Sequence, residues 1–235
     1  MLEEQADSCQ EEETEEQTAS RKIAEQDVSI EAGIGNAALL IETVTGDPQI
    51  MEILAGKGYD EASFTAGRTL LDAASSAFAS RAAAIAAQRY ASSRLAGIET
   101  AAEKAFTDFR LIARAVFKDE PEAHSALNLK DELPGNRSRF IAKALTSIEN
   151  ARLEPYAERL AQFGYDEDGL AQVEQAVAAL ETADAGQNQL ISDAMTATAE
   201  RDAAWEQLSG WVSQFRAVAK VALRDKPDLV RILNV

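Results

Sequence analysis

The sequence predicts an all-α protein: a duplicated helical unit forming an up-down four-helix-bundle-like core with short flanking helices. Composition is the first indication. Of 235 residues, 46% are hydrophobic but only 6% aromatic, with five prolines and twelve glycines. Much of that apolar content is alanine, the best helix former and one that lets helices approach closely. The second indication is a heptad phase: Phe64, Leu71, Phe78 and Ile85 sit seven residues apart, as do Leu95, Ala102, Phe109 and Val116. The third is internal repetition at one fixed spacing.

Leu54-Ala-Gly-Lys-Gly-Tyr-Asp-Glu61 recurs as Leu160-Ala-Gln-Phe-Gly-Tyr-Asp-Glu167, an offset of 106 residues. Phe109-Arg-Leu-Ile-Ala-Arg runs on to Pro121, and Phe215-Arg-Ala-Val-Ala-Lys runs on to Pro227, again 106 apart. Leu127-Asn128 and Leu233-Asn234 repeat the spacing. Three matches at one gapless offset define the organisation. Residues 1–28 form an acidic leader, 29–129 copy one (aligned from 31), 130–136 a linker, and 137–235 copy two. The two copies are expected to pack as one domain.

Each element follows in order. The leader has eight carboxylates and no Lys or Arg in its first twenty residues, so it is expected to be disordered or frayed. A shorter helix pair precedes each Gly-Tyr-Asp-Glu segment, split by Gly46-Asp-Pro48 in one copy and by Pro155 in the other. Gly58 and Gly164 suit the left-handed position just past a helix end, and Asp60 and Asp166 suit the next N-cap. Capping accounts for every polar residue of that motif.

From Asp60 to Lys118 there is no proline. Copy two carries matching apolar series, Leu170, Val177, Ile191, Trp205, Val212 and Val173, Leu180, Leu208, Phe215. Midway the seam turns polar, at Arg81, Gln88 and Ser92 in one copy and Asp184 and Gln187 in the other. Two antiparallel helices per copy are expected, turning near residues 80–93 and 183–190. The alternative is a single rod of ~87 Å. Short final helices are expected over Pro121–Leu129 and Pro227–Val235.

The charge narrows the function. A formal net charge of −17 repels nucleic-acid phosphates and anionic membranes, so neither is an expected partner. Cys9 is the only cysteine and His124 the only histidine. No intramolecular disulfide, thiolate zinc cluster or Glu-x-x-His di-iron pair can form. Phosphate-binding glycine loops and Gly-x-Ser-x-Gly are missing from the sequence. Hence no catalytic, cofactor-binding or metal-binding residue is assigned and no cofactor is expected. An all-carboxylate metal site stays open among 40 acids. His124 is expected to be an exposed helix residue. A basic, apolar signal peptide and a membrane span are both missing, so a cytoplasmic protein is expected.

The candidate site is basic. Arg110, Arg114 and Lys118 lie at i, i+4 and i+8, and Arg216, Lys220 and Arg224 take the same places in copy two. Cations at a helix C-terminus meet the dipole favourably. The sharper reading is an anion or partner site, and the two stripes are expected to behave alike. Trp205 and Trp211 are expected to pack in the core with Phe215, the alternative being an apolar ligand pocket between helices.

The doubled pattern, ending in each copy at Lys/Arg-Asp-x-Pro, resembles bacterial helical-bundle proteins that carry two such halves and have no established activity. The resemblance implies a fold and transfers no residue role. The expected function is a non-enzymatic interaction or scaffold protein, with a protein partner or homo-oligomer. The alternative is a carrier of an apolar or anionic small molecule within the bundle.

Overall fold

The computed structural model describes residues 2–130 and 132–233, and within its first helix only the side chains of Thr18, Arg21, Lys22 and residues 25 onward. The described residues form eight helices and no strand: α1 Leu2–Gly46, α2 Pro48–Ala55, α3 Glu61–Val116, α4 Pro121–Ala126, α5 Arg137–Ala151, α6 Tyr156–Ala161, α7 Glu167–Ala222 and α8 Pro227–Leu233. None of these is long and apolar enough to cross a membrane.

The punctuation read from the sequence sits at the element ends. Asp47 Oδ1 accepts from the Gln49 and Ile50 amides at 2.8 and 3.2 Å, capping α2 just behind Pro48. Gly58 and Gly164 adopt φ of 87° and 85°. Next to them, Tyr59 N–H bonds Leu54 O and Tyr165 N–H bonds Leu160 O, each at 3.1 Å. A side chain there would be strained, so glycine ends the helix. Asp60 and Asp166 then cap α3 and α7 through the Ser63 and Gly169 amides at 3.0 and 2.9 Å. After α4, Asn128 turns the chain with φ 53°, so that helix stops at Ala126, short of the expected Leu129.

The expected hairpins are not formed. α3 and α7 are unbroken, 56 residues each. The polar stretch of the seam is an interior polar layer, not a turn. Arg81 Nε donates to Thr198 Oγ1 at 3.1 Å, and Gln187 Nε2 donates to Ser92 Oγ at 2.9 Å. With those groups paired across neighbouring helices, nothing forces a reversal. Gly186 costs about 1 kcal/mol inside a helix, which the alanine-rich flanks outweigh. The leader also departs from expectation: α1 is helical from Leu2, and its Asp27 and Ile30 are held in the fold.

Two compact units result, and neither coincides with a sequence copy. Unit one comprises Met1–Ala83 with Thr196–Val235; unit two comprises Ala84–Met195. Each therefore combines the start of one long helix with the end of the other. In unit one, Ile41, Val44, Leu54, Phe64, Phe215 and Leu223 are buried together. Tyr59 meets Phe215 edge-on at 5.2 Å, and Trp211 stacks on Phe215 at 5.8 Å. In unit two the buried set includes Phe106, Phe109, Phe140, Ile148, Leu160 and Leu180. There Tyr165 meets Phe109 edge-on at 5.3 Å. Tyr59 and Tyr165 are thus each seated on the phenylalanine of the other copy. A fully buried Phe contributes roughly 1.5–3 kcal/mol through area alone.

Candidate functional site

A groove of about 720 Å³ lies in unit two, between α3 and α7. Its floor is apolar and its walls are low: Leu95 and Ile98 from α3 face Ala178, Ala179, Ala183 and Gly186 from α7. Side chains this small leave the two helix surfaces unfilled along a furrow. Gln175, Thr182 and Gln187 supply uncharged polar edges, and Arg94 is the one charged residue in the lining. Its guanidinium lies 5.9 Å from the centroid of the Tyr90 ring, whose residue is 66% exposed. Among the described residues Arg94 makes no ion pair.

The corresponding stretch of unit one is built from charge. Arg201 is 1% exposed and Arg81 6%. Both donate to Asp27 of α1, Arg81 at 2.6 Å, and Arg201 also holds Asp202 through Nη2 at 2.6 Å and Nε at 3.0 Å. Gln26 reaches the same Asp202 oxygen at 3.5 Å. Two interior guanidiniums are tolerable only with such paired acceptors. Sequence reasoning placed Arg81 on a polar seam but missed Arg201 and Asp27. The available signal was that Arg201 falls in the register of Ala194, Leu208 and Phe215, a buried row.

The tryptophans pack as expected, on partners that could not be foreseen. A Cβ on Gly33 of α1 would lie 2.1 Å from the Trp205 ring, and one on Gly67 of α3 would lie 2.5 Å from Trp211. Glycine is what lets each indole lie against a helix backbone.

Unit two has its own ionic tie. Arg137, at the start of α5, bonds both Glu99 oxygens at 3.0 and 2.9 Å and Asp184 at 2.6 Å. These hydrogen bonds hold its guanidinium firmly protonated, above the ordinary arginine value. Arg152 reaches Glu174 at 2.7 Å and lowers the pKa of that carboxyl.

The two basic stripes fare differently, contrary to expectation. Arg110 is 5% exposed, and it donates to the Leu129 carbonyl at 3.3 Å. Arg114 Nε donates to the same oxygen at 2.8 Å. These two side chains satisfy the carbonyl where the chain leaves α4, while Lys118 points outward and is exposed. Arg216, Lys220 and Arg224 are all exposed. The residue equivalent to Leu129 is Val235, which lies outside the described residues. Arg216 borders a second, 190 Å³ hollow in unit one with Asn36 and Thr43.

His124 is half-buried, not exposed, and its Nε2 is shielded from solvent without a hydrogen-bond partner among the described residues. The cause is the seating of α4, whose Ala123 and the following Leu127 are buried in the unit-two core. Among the described residues no group of three or more His, Cys, Asp or Glu side chains is placed to hold a metal ion. The chain matches no family model, no curated protein and no solved structure.

Proposed function

We propose that this chain is a non-enzymatic helical binding protein that carries an apolar small molecule in the groove of unit two. The supporting observation is the groove itself, an apolar furrow of about 720 Å³, within the usual range of ~300–1,000 Å³ for ligand sites. The lining runs from Gln175 to Leu190 on α7, about 22 Å of axis at ~1.5 Å per residue. The scaffold reading, docking through a helix face, draws its support from the exposed stripe of Arg216, Lys220 and Arg224. Under either reading nucleic acid is not an expected partner, and no cofactor is invoked.

The test is a titration of the whole chain with the neutral fluorophore N-phenyl-1-naphthylamine. Saturable binding at one site is expected, and Ala179→Trp, which fills the groove from an exposed position, should weaken it at least about tenfold. Non-saturable binding, or binding that ignores the Ala179→Trp change, would leave the scaffold reading in its place.

A further inference from the structure

We infer that the groove of unit two selects a free single-chain anionic amphiphile, with Arg94 meeting the head group and the Leu95–Ile98 floor meeting the chain; this rests on the carrier reading above. The first support is electrostatic contrast. The protein carries a net charge of −17, yet the one charged residue lining this apolar furrow is a cation. A scattered arrangement would more often put a carboxylate there. Arg94 is exposed, lies over an aromatic face, and makes no ion pair among the described residues. An exposed guanidinium in the lining can offer two of its five donors to a carboxylate or sulfate.

The second support is the division of the lining. Leu95 is 2% exposed, so its side chain belongs to the core and gives the groove a fixed apolar floor. Ile98 from α3 and Ala178, Ala179 and Ala183 from α7 continue that floor. A cation beside an apolar trough, lined over about 16 Å of α3 and about 22 Å of α7, fits a hydrocarbon chain that carries one anionic group. A compact neutral ligand would use neither the length nor the cation. A bilayer is disfavoured as the source, since net negative charge repels an anionic membrane surface. The ligand is therefore taken as a monomer from solution.

The experiment displaces N-phenyl-1-naphthylamine from the full chain with decanoate, decanol or decyltrimethylammonium, each below its aggregation limit. Decanoate should act at about tenfold lower concentration than the other two, the contribution of one charge-assisted hydrogen bond. Arg94→Gln should erase that preference, bringing decanoate and decanol to equal potency, with the melting temperature unchanged. Arg94→Lys should keep part of it. Equal potency of all three compounds, or a preference for decanoate that survives Arg94→Gln, would overturn the anionic class and leave the carrier reading standing. Failure of every compound to displace the probe, with Ala179→Trp equally silent, would overturn both. Co-sedimentation with phosphatidylglycerol vesicles that Arg94→Gln abolishes would overturn the free-monomer source.

Discussion

The two units solve one problem in two ways. Each must fill the middle of a long helix pair, where the apolar heptads give way to polar residues. Unit one fills it with charge: Arg81 and Arg201 converge on Asp27, and Arg201 also grips Asp202. Unit two has neutral residues at the matching positions, Gln187 on Ser92 and Leu95 where unit one has Arg201, and carries its ionic tie elsewhere, on Arg137, Glu99 and Asp184. The difference teaches that one backbone register supports either a buried ionic lock or an apolar floor, and the choice changes what lies outside. In unit one the ionic lock holds helix α1. In unit two the apolar floor lies under an open groove.

The ionic lock gives the largest expected effect. Asp27→Ala leaves two buried guanidiniums short of an acceptor and should cost about 3 kcal/mol, the low end for a broken buried pair. The low end applies because the Asp27 side chain keeps 28% of its exposure. Gln187→Leu removes the neutral counterpart, and Ser92 still donates to Gln88 O at 3.0 Å. That change should cost under about 1 kcal/mol. Urea denaturation of both variants makes the comparison, and equal losses would show that the charge in unit one has no special dependence on Asp27.

The basic stripes come next. Changing Arg110, Arg114 and Lys118 together to Gln removes the donors that hold Leu129 O and should cost roughly 1.5–3 kcal/mol. Changing Arg216, Lys220 and Arg224 to Gln alters exposed side chains and should stay within about 0.5 kcal/mol. Matching losses would mean that the exposed stripe also serves the fold.

The smallest effect is alkaline. Burial raises the pKa of the Tyr59 and Tyr165 hydroxyls, with Asp108 adding to the shift at Tyr165. A raised pKa means stability that is complete below the ordinary value of about 10 and is lost as pH rises through the folded value. Melting temperature followed from pH 8 to 11 should fall in the parent and fall less in Tyr59→Phe or Tyr165→Phe. Curves that superimpose on the parent would remove these hydroxyls from the pH dependence.

Much of the fold is legible because its signals are local. Glycine at Gly58 and Gly164, aspartate at Asp60 and Asp166 and proline at Pro48, Pro121 and Pro227 act on the backbone within a few residues, and all sit at element ends. The 106-residue spacing is equally visible, and α3 and α7 begin and end at that spacing. The candidate site was legible only in part. The stripe positions were identified, but not that Arg110 and Arg114 would both donate to one carbonyl while their counterparts stay exposed.

The sequence alone determined that the chain is helical, where most helices begin, and which rows of side chains are apolar. It could not decide whether the polar seam at Arg81, Ser92, Asp184 and Gln187 marks a turn or an interior, because a polar side chain favours a turn only when nothing across from it can pair. Tertiary structure decided that by supplying Thr198 to Arg81, Ser92 to Gln187 and Arg137 to Asp184. It also decided that each unit draws on both copies, and that a row of small residues on α7 borders a groove. Those outcomes depend on hydrogen bonds and packing between residues far apart in the chain, and no local propensity encodes them.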